Sequence, residues 1–158
     1  MKIQKTNAAR LLDKDKIPYE LIPYEVDESD LAVGHVAEQL GQSLEQVFKT
    51  LVLKGDKTGY LVCVIPGGHE VNLKKAAKVS GNKSVEMIPM KDLLAVTGYI
   101  RGGCSPLGMK KHFPTFLHIT ANSQPFIYIS AGVRGLQLKI VPADLLIVTK
   151  GHLADIAD

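Results

Sequence analysis

The side chains best suited to chemistry crowd into one stretch, Tyr99-Ile-Arg-Gly-Gly-Cys-Ser-Pro-Leu-Gly-Met-Lys-Lys111. Adjacent Gly102 and Gly103 can take φ > 0 and let a ligand approach the backbone closely. Their N–H groups could then form an anion-binding nest. Arg101, Lys110 and Lys111 would draw a polyanion to its rim. Cys104 is a candidate nucleophile whose pKa nearby cations would lower, although no Cys–His pairing is visible. The competing reading of the stretch is a surface turn followed by a basic edge.

A second feature is Lys49 inside Val47-Phe-Lys-Thr-Leu-Val-Leu-Lys54, a run of strand character. Alternation puts Lys49 in line with Val47, Leu51 and Leu53, and Thr50 with Phe48 and Val52. Such a lysine either snorkels to a sheet edge or is held in a pocket where its charge acts. Lys74, Lys75 and Lys78 share one face of a helix capped by Asn72. That face is either solvated or tracks phosphates. Cys63, within strand residues, reads as an inert core thiol. Tyr24 reads as an edge tyrosine, half-buried with a solvated hydroxyl. His35 lies on the polar side of a helix with no second ligand at metal spacing. No GxSxG elbow, HExxH, Walker loop or dinucleotide fingerprint occurs, so those reaction classes lack their signatures.

The elements that must position these groups follow from pattern. With 158 residues, 46% hydrophobic and 22% charged, one domain over 1–158 can bury a full core. A net charge of +3 permits a nucleic-acid partner without demanding one. Two cysteines and no CxxC argue against a disulfide framework or a zinc site. No apolar signal core and no membrane-spanning run is present, which predicts a cytoplasmic protein with no membrane partner. Thr6 or Asn7 caps a first helix. Residues 19–26 are extended, with Pro23 at an edge. A helix over 33–40 ends at Gly41, and Ser43-Leu-Glu-Gln46 has the form of a capping box for one more helical turn. Residues 47–54 and 60–65 form a hairpin. A short strand at 84–88 and a small helix at 90–97 lead to the glycine stretch. Strands at 115–120, 126–130 and 136–141 follow, and Pro142 opens a closing helix through Thr149. The expected fold class is α+β, a mixed, mostly antiparallel sheet with packed helices. Taken alone, this reading gives a compact domain suited to an anionic ligand and names no reaction.

Four motifs occur in one order: Val47-Phe-Lys-Thr-Leu, Asn72-Leu-Lys-Lys-Ala-Ala-Lys, Thr97-Gly-Tyr-Ile-Arg-Gly-Gly-Cys-Ser-Pro-Leu-Gly-Met-Lys-Lys, and Tyr128-Ile-Ser-Ala-Gly-Val-Arg-Gly-Leu. Together they resemble the YbaK/EbsC family, free-standing relatives of the prolyl-tRNA synthetase editing domain. The resemblance spans nearly the whole chain. It implies a single-domain α+β editing fold and deacylation of cysteine mischarged on proline tRNA. It also implies that the substrate's own thiol attacks the ester, with no enzyme nucleophile, metal or cofactor. Lys49 matches the family's lysine near the ester, and Gly102 the loop glycine facing the carbonyl, with Gly103 beside it. Tyr24, Thr50 and Ser130 match positions lining the aminoacyl pocket. Lys74, Lys75, Lys78, Lys110, Lys111 and Arg134 are acceptor-stem candidates on charge alone.

The chain departs from the family at three places. Val133 replaces a common cation in the turn after Ser130. Gln137 stands where some relatives carry an acidic residue lining the site, so no carboxylate role carries over. The region around Ala32–Gly34 lacks an aromatic found beside the substrate in some members. Two other classes stay open beside cysteine editing: hydrolytic removal of another mischarged amino acid such as alanine, and a non-catalytic module binding tRNA or synthetase. A synthetase partner, prolyl-tRNA synthetase, is expected to supply tRNA discrimination.

Overall fold

The computed structural model describes residues 5–158. Its centre is the hairpin of β2 (Phe48–Gly55) and β3 (Gly59–Pro66), paired without interruption from Phe48↔Pro66 to Gly55↔Gly59. Branched and aromatic residues on both strands suit a pleated, largely buried surface. The turn at 56–58 is fixed from outside. Asn82 Oδ1 accepts from the Lys57 and Thr58 amides at 2.9 and 3.0 Å.

Two sheets grow from this hairpin. The larger has the order β4-β2-β3-β5-β8, with β4 (Val85–Met87) antiparallel to β2. β5 (Thr115–His118) runs parallel to β3, and β8 (His152–Ala154) parallel to β5. The smaller is antiparallel, ordered β1-β7-β6 from Glu20–Pro23, Leu136–Ile140 and Ile127–Ser130. A parallel bridge between Val47 and Tyr128 joins the two, and the Tyr128 amide donates to the Gln46 carbonyl at 2.9 Å. The expected α+β class with mostly antiparallel strands holds. The single expected sheet is instead two sheets meeting at that seam.

Helices close the layers. α1 (Asn7–Lys14) is capped by Thr6, whose hydroxyl accepts from the Ala9 amide. It packs Ala8 and Leu12 with Leu145 of α5 (Pro142–Thr149) on a cluster including Phe48, Ile129 and Leu138. α3 (Leu73–Ser80) is capped by Asn72 and covers Leu53, Leu61 and Ile65 with Ala76 and Ala77. α2 (Val33–Leu40) ends at left-handed Gly41 and lies on Val47 and Tyr128. α4 (Leu93–Thr97) leads through Gly98 into the glycine stretch, which carries no helix or strand.

The single helical turn expected after Ser43 forms: the Ser43 carbonyl accepts from Gln46 N at 2.9 Å and from Val47 N at 3.2 Å, and its hydroxyl caps Glu45 N. β8 went unforeseen because three residues carry too little alternation to register, and its pairing with β5 is purely long-range.

Candidate functional site

β2 has one edge without a continuous partner. β4 pairs only Leu53–Gly55, with one further bond from Ile88 N to the Val52 carbonyl, and the smaller sheet bridges by backbone only at Val47, just before β2. Beside the intervening edge, Phe48 to Val52, lies a cavity of about 580 Å3. That volume falls within the range of small-molecule sites, roughly 300–1,000 Å3. Its walls come from six places: the start of α2, Leu44 in the turn after it, β2, the 67–70 loop, the segment 87–93, and the glycine stretch. Ser130 of β6 and Gln137 of β7, directly paired across the smaller sheet, complete the lining.

Lys49 enters from β2. Its Nζ donates to the Gly67 carbonyl at 3.4 Å and lies 3.8 Å from Glu70 Oε1. The lysine side chain is 23% exposed and the glutamate 84%, so the cation is half-buried while its partner is solvated. An ion pair of that kind is weak and easily exchanged for a phosphate or carbonyl. Gly67 leaves room for its neighbours: a Cβ there would lie 2.7 Å from Val33 Cγ1 and 2.9 Å from Leu44 Cδ2, so both side chains would have to shift.

The two glycines of the 99–111 stretch do different jobs. Gly102 adopts φ +85° and lines the cavity, and its amide has no hydrogen-bond partner among the described residues. Gly103 has no positive φ. Its N–H donates to the Ile100 carbonyl at 3.0 Å, and a Cβ on it would stand 3.2 Å from Val133 Cα. The expected two-glycine nest is reduced accordingly: the Gly103 amide is spent inside the turn, and only Gly102, with an unpartnered amide, lines the cavity. Arg134 locks the two loops together, donating from Nε to the Arg101 carbonyl at 2.8 Å and from a guanidinium NH to Glu28 at 2.7 Å.

Cys104 also lines the cavity, and burial pushes its thiol up to about 12. The expected lowering by nearby cations does not occur: burial disfavours the thiolate, and only a hydrogen bond with Thr97 opposes it. Burial likewise pushes Cys63 up to about 12, as an inert core thiol requires.

The cavity thus brings together Lys49, Thr50, Gly102 and Ser130. It does not bring in Tyr24, which packs among Val36, Ala37, Val47 and Tyr128 beneath α2. Of the surface cations, Lys74, Lys78, Lys110 and Lys111 are exposed and none lines the cavity. Lys75 instead holds Asp155 at 3.1 Å and the Ala157 carbonyl at 3.2 Å. Sequence reasoning missed Glu70, Leu31, Met87 and Met90 in the lining, since nothing local marks them. Arg101, read as a rim cation, does reach the lining.

Residues 30–147 match the model of the aminoacyl-tRNA editing domain. The chain belongs to that family. Over 97% of its length it is 52% identical to EbsC of Enterococcus faecalis (strain ATCC 700802 / V583), covering 93% of that protein. EbsC carries the name of a candidate Cys-tRNA(Pro)/Cys-tRNA(Cys) deacylase. Two solved structures share the fold. The hypothetical protein APE2540 superposes with a TM-score of 0.89 at 21% identity, over 97% of this chain and 100% of that one. A candidate trans-editing enzyme for prolyl-tRNA synthetase gives 0.81 at 21% identity, over 98% and 99%. Among the described residues no helix is long and apolar enough to cross a membrane.

Proposed function

We propose that this protein is a trans-editing aminoacyl-tRNA deacylase that removes cysteine from mischarged Cys-tRNA(Pro) by cyclisation of the substrate. One observation carries the reading. The cavity collects a half-buried ammonium, an unpartnered glycine amide and two hydroxyls, while the thiol in its wall is held protonated. Such a site favours an acyl-transfer transition state but supplies no activated cysteine of its own.

In the proposed step the cysteinyl sulfur attacks its own ester carbonyl carbon. A C–S bond forms, the bond from that carbon to the terminal ribose oxygen breaks, and the thiol proton ends on that oxygen. The products are a thiolactone and free tRNA. Lys49 and the Gly102 amide face the oxygen on which charge develops, and Thr50 and Ser130 line the pocket for the aminoacyl group. Holding the reactants in attack geometry is worth up to ~7–11 kcal/mol, and one oxyanion donor ~2.7–4 kcal/mol. The exposed lysines 74, 78, 110 and 111 serve the acceptor stem, and a docked prolyl-tRNA synthetase supplies tRNA choice. Recovery of no synthetase in low-salt co-purification would count against that partner.

The test is ester loss from proline tRNA charged in parallel with cysteine, alanine and serine. Rapid loss of cysteine alone supports the reading. Loss of alanine or serine makes water the nucleophile and moves the protein to hydrolytic editing, and three stable esters leave a binding module.

A further inference from the structure

Two polar atoms in the cavity wall are buried and unpartnered: Thr50 Oγ1 and Gln137 Oε1. Gln137 is only 5% exposed, and Ser130, its partner across the sheet, 9%. The Ser130 hydroxyl accepts from the Gly132 amide at 3.1 Å. The Val47–Tyr128 bridge sets β6 beside the start of β2, so Gln137, Ser130 and Thr50 come from three successive strands, β7, β6 and β2. Buried polar groups are nearly always hydrogen-bonded, and two orphans in one cavity mark where a ligand donor belongs.

Their chemistry defines that donor. The Gln137 amide oxygen only accepts and the Thr50 hydroxyl can accept as well as donate, whereas Lys49, Arg101 and the Gly102 amide elsewhere in the lining are donors. An aminoacyl ester divides the same way. Its carbonyl and the adjoining phosphate accept, while its α-ammonium carries three N–H donors. We propose that Gln137 and Thr50 bind the free α-ammonium of the aminoacyl ester, so that the site takes esters with an unblocked amine and rejects N-acylated ones. Acylation removes the charge and two of the three donors, and it adds a carbonyl oxygen that would face the Gln137 oxygen. The assignment rests on the aminoacyl-ester reading above and names the group by which that substrate is oriented.

Binding tests it apart from turnover. The probes are adenosine carrying cysteine through a stable 3′-amide link, and the same compound N-acetylated, titrated calorimetrically into the full chain. The wild type is expected to bind the free amine at least ~10-fold tighter, since a hydrogen bond to a charged group carries that much. Gln137→Met should erase the preference while leaving the acetylated probe unchanged, and Gln137→Glu, which keeps an acceptor, should retain it. Thr50→Val provides an independent variant should Gln137→Met fail to fold. Equal binding of the two probes by the wild type, or loss of both in Gln137→Met, would overturn the assignment. Stability of cysteinyl-tRNA in the wild type would instead sink the deacylase reading, and the binding comparison would still decide this one.

Discussion

The Lys49 ammonium lies 3.4 Å from the Gly67 carbonyl oxygen, in a loop that the far end of the chain holds in place. Asp158 N donates to the Glu70 carbonyl at 3.0 Å, and Asn72 N to the Ile156 carbonyl at 2.8 Å. Lys49→Ala is expected to lower single-turnover deacylation by ~10²–10³, the cost of losing an oxyanion donor. Glu70→Gln, which removes only a solvated partner, should leave stability within about 0.5 kcal/mol. A Lys49→Ala variant with undiminished rates would remove the lysine from the chemistry.

Gly102 and Gly103 separate function from stability. Gly102→Ala forces a side chain to φ +85° and sets its Cβ 3.3 Å from Arg134 Nε. A left-handed non-glycine residue costs about 1–2 kcal/mol, and the expected activity loss exceeds what that destabilisation explains. Gly103→Ala crowds the Val133 backbone at 3.2 Å, so its effect should appear mainly in the melting temperature. Paired melts and rate measurements on both variants check this.

Cys104→Ala should retain activity, because burial holds the thiol near 12 and leaves almost no thiolate at pH 7. Iodoacetamide followed by mass spectrometry should find Cys104 and Cys63 unlabelled in the native protein at that pH. An inactive Cys104→Ala that melts normally would point to a protein nucleophile.

His69 ties the same loop to the chain's end, its Nδ1 lying 2.7 Å from the Asp158 carbonyl and its Nε2 3.3 Å from Glu45. The Asp158 carbonyl first, then Glu45, raise its pKa above 6.5, against burial and the Lys49 charge. A raised histidine contributes stability fully below the unfolded pKa and loses it as pH rises through the folded one. Burial lowers neighbouring His118, which contributes in the opposite sense. The stability lost in His69→Gln should therefore be larger at pH 5.5 than at pH 8 by urea unfolding. A pH-independent loss would mean that the charge plays no part.

The cationic surface divides by what each side chain touches. Exposed Lys74 and Lys78, if they meet phosphates, should each reduce the slope of log affinity against log salt by about 0.7–0.9. Lys75 holds Asp155 and the Ala157 carbonyl, so Lys75→Ala should act on stability, by under about 1 kcal/mol for a largely exposed pair. Filter binding over a salt series together with melts distinguishes the two classes.

Much of this was legible because local chemistry decided it. The hairpin alternation, the Asn72 cap and Pro142 at a helix start are short-range signals, and the structure follows each. The convergence of Lys49, Thr50, Gly102 and Ser130 was legible through family motifs, not through periodicity. What stayed hidden depends on long-range pairing. Tyr24 packs beneath α2 because of where β1 meets β7, β8 exists only against β5, and Glu70 reaches Lys49 through contacts with residues 156–158. The positive φ of one glycine and not its neighbour is likewise set by the Val133–Arg134 turn lying across the stretch.

The central claim is that the substrate supplies the nucleophile. The most direct measurement compares release from cysteinyl-tRNA(Pro) and from S-methylcysteinyl-tRNA(Pro), whose sulfur carries no proton to lose. The account predicts rapid release of the first as a thiolactone and a stable second ester. Comparable release of both would contradict it and assign the attack to water or to the protein.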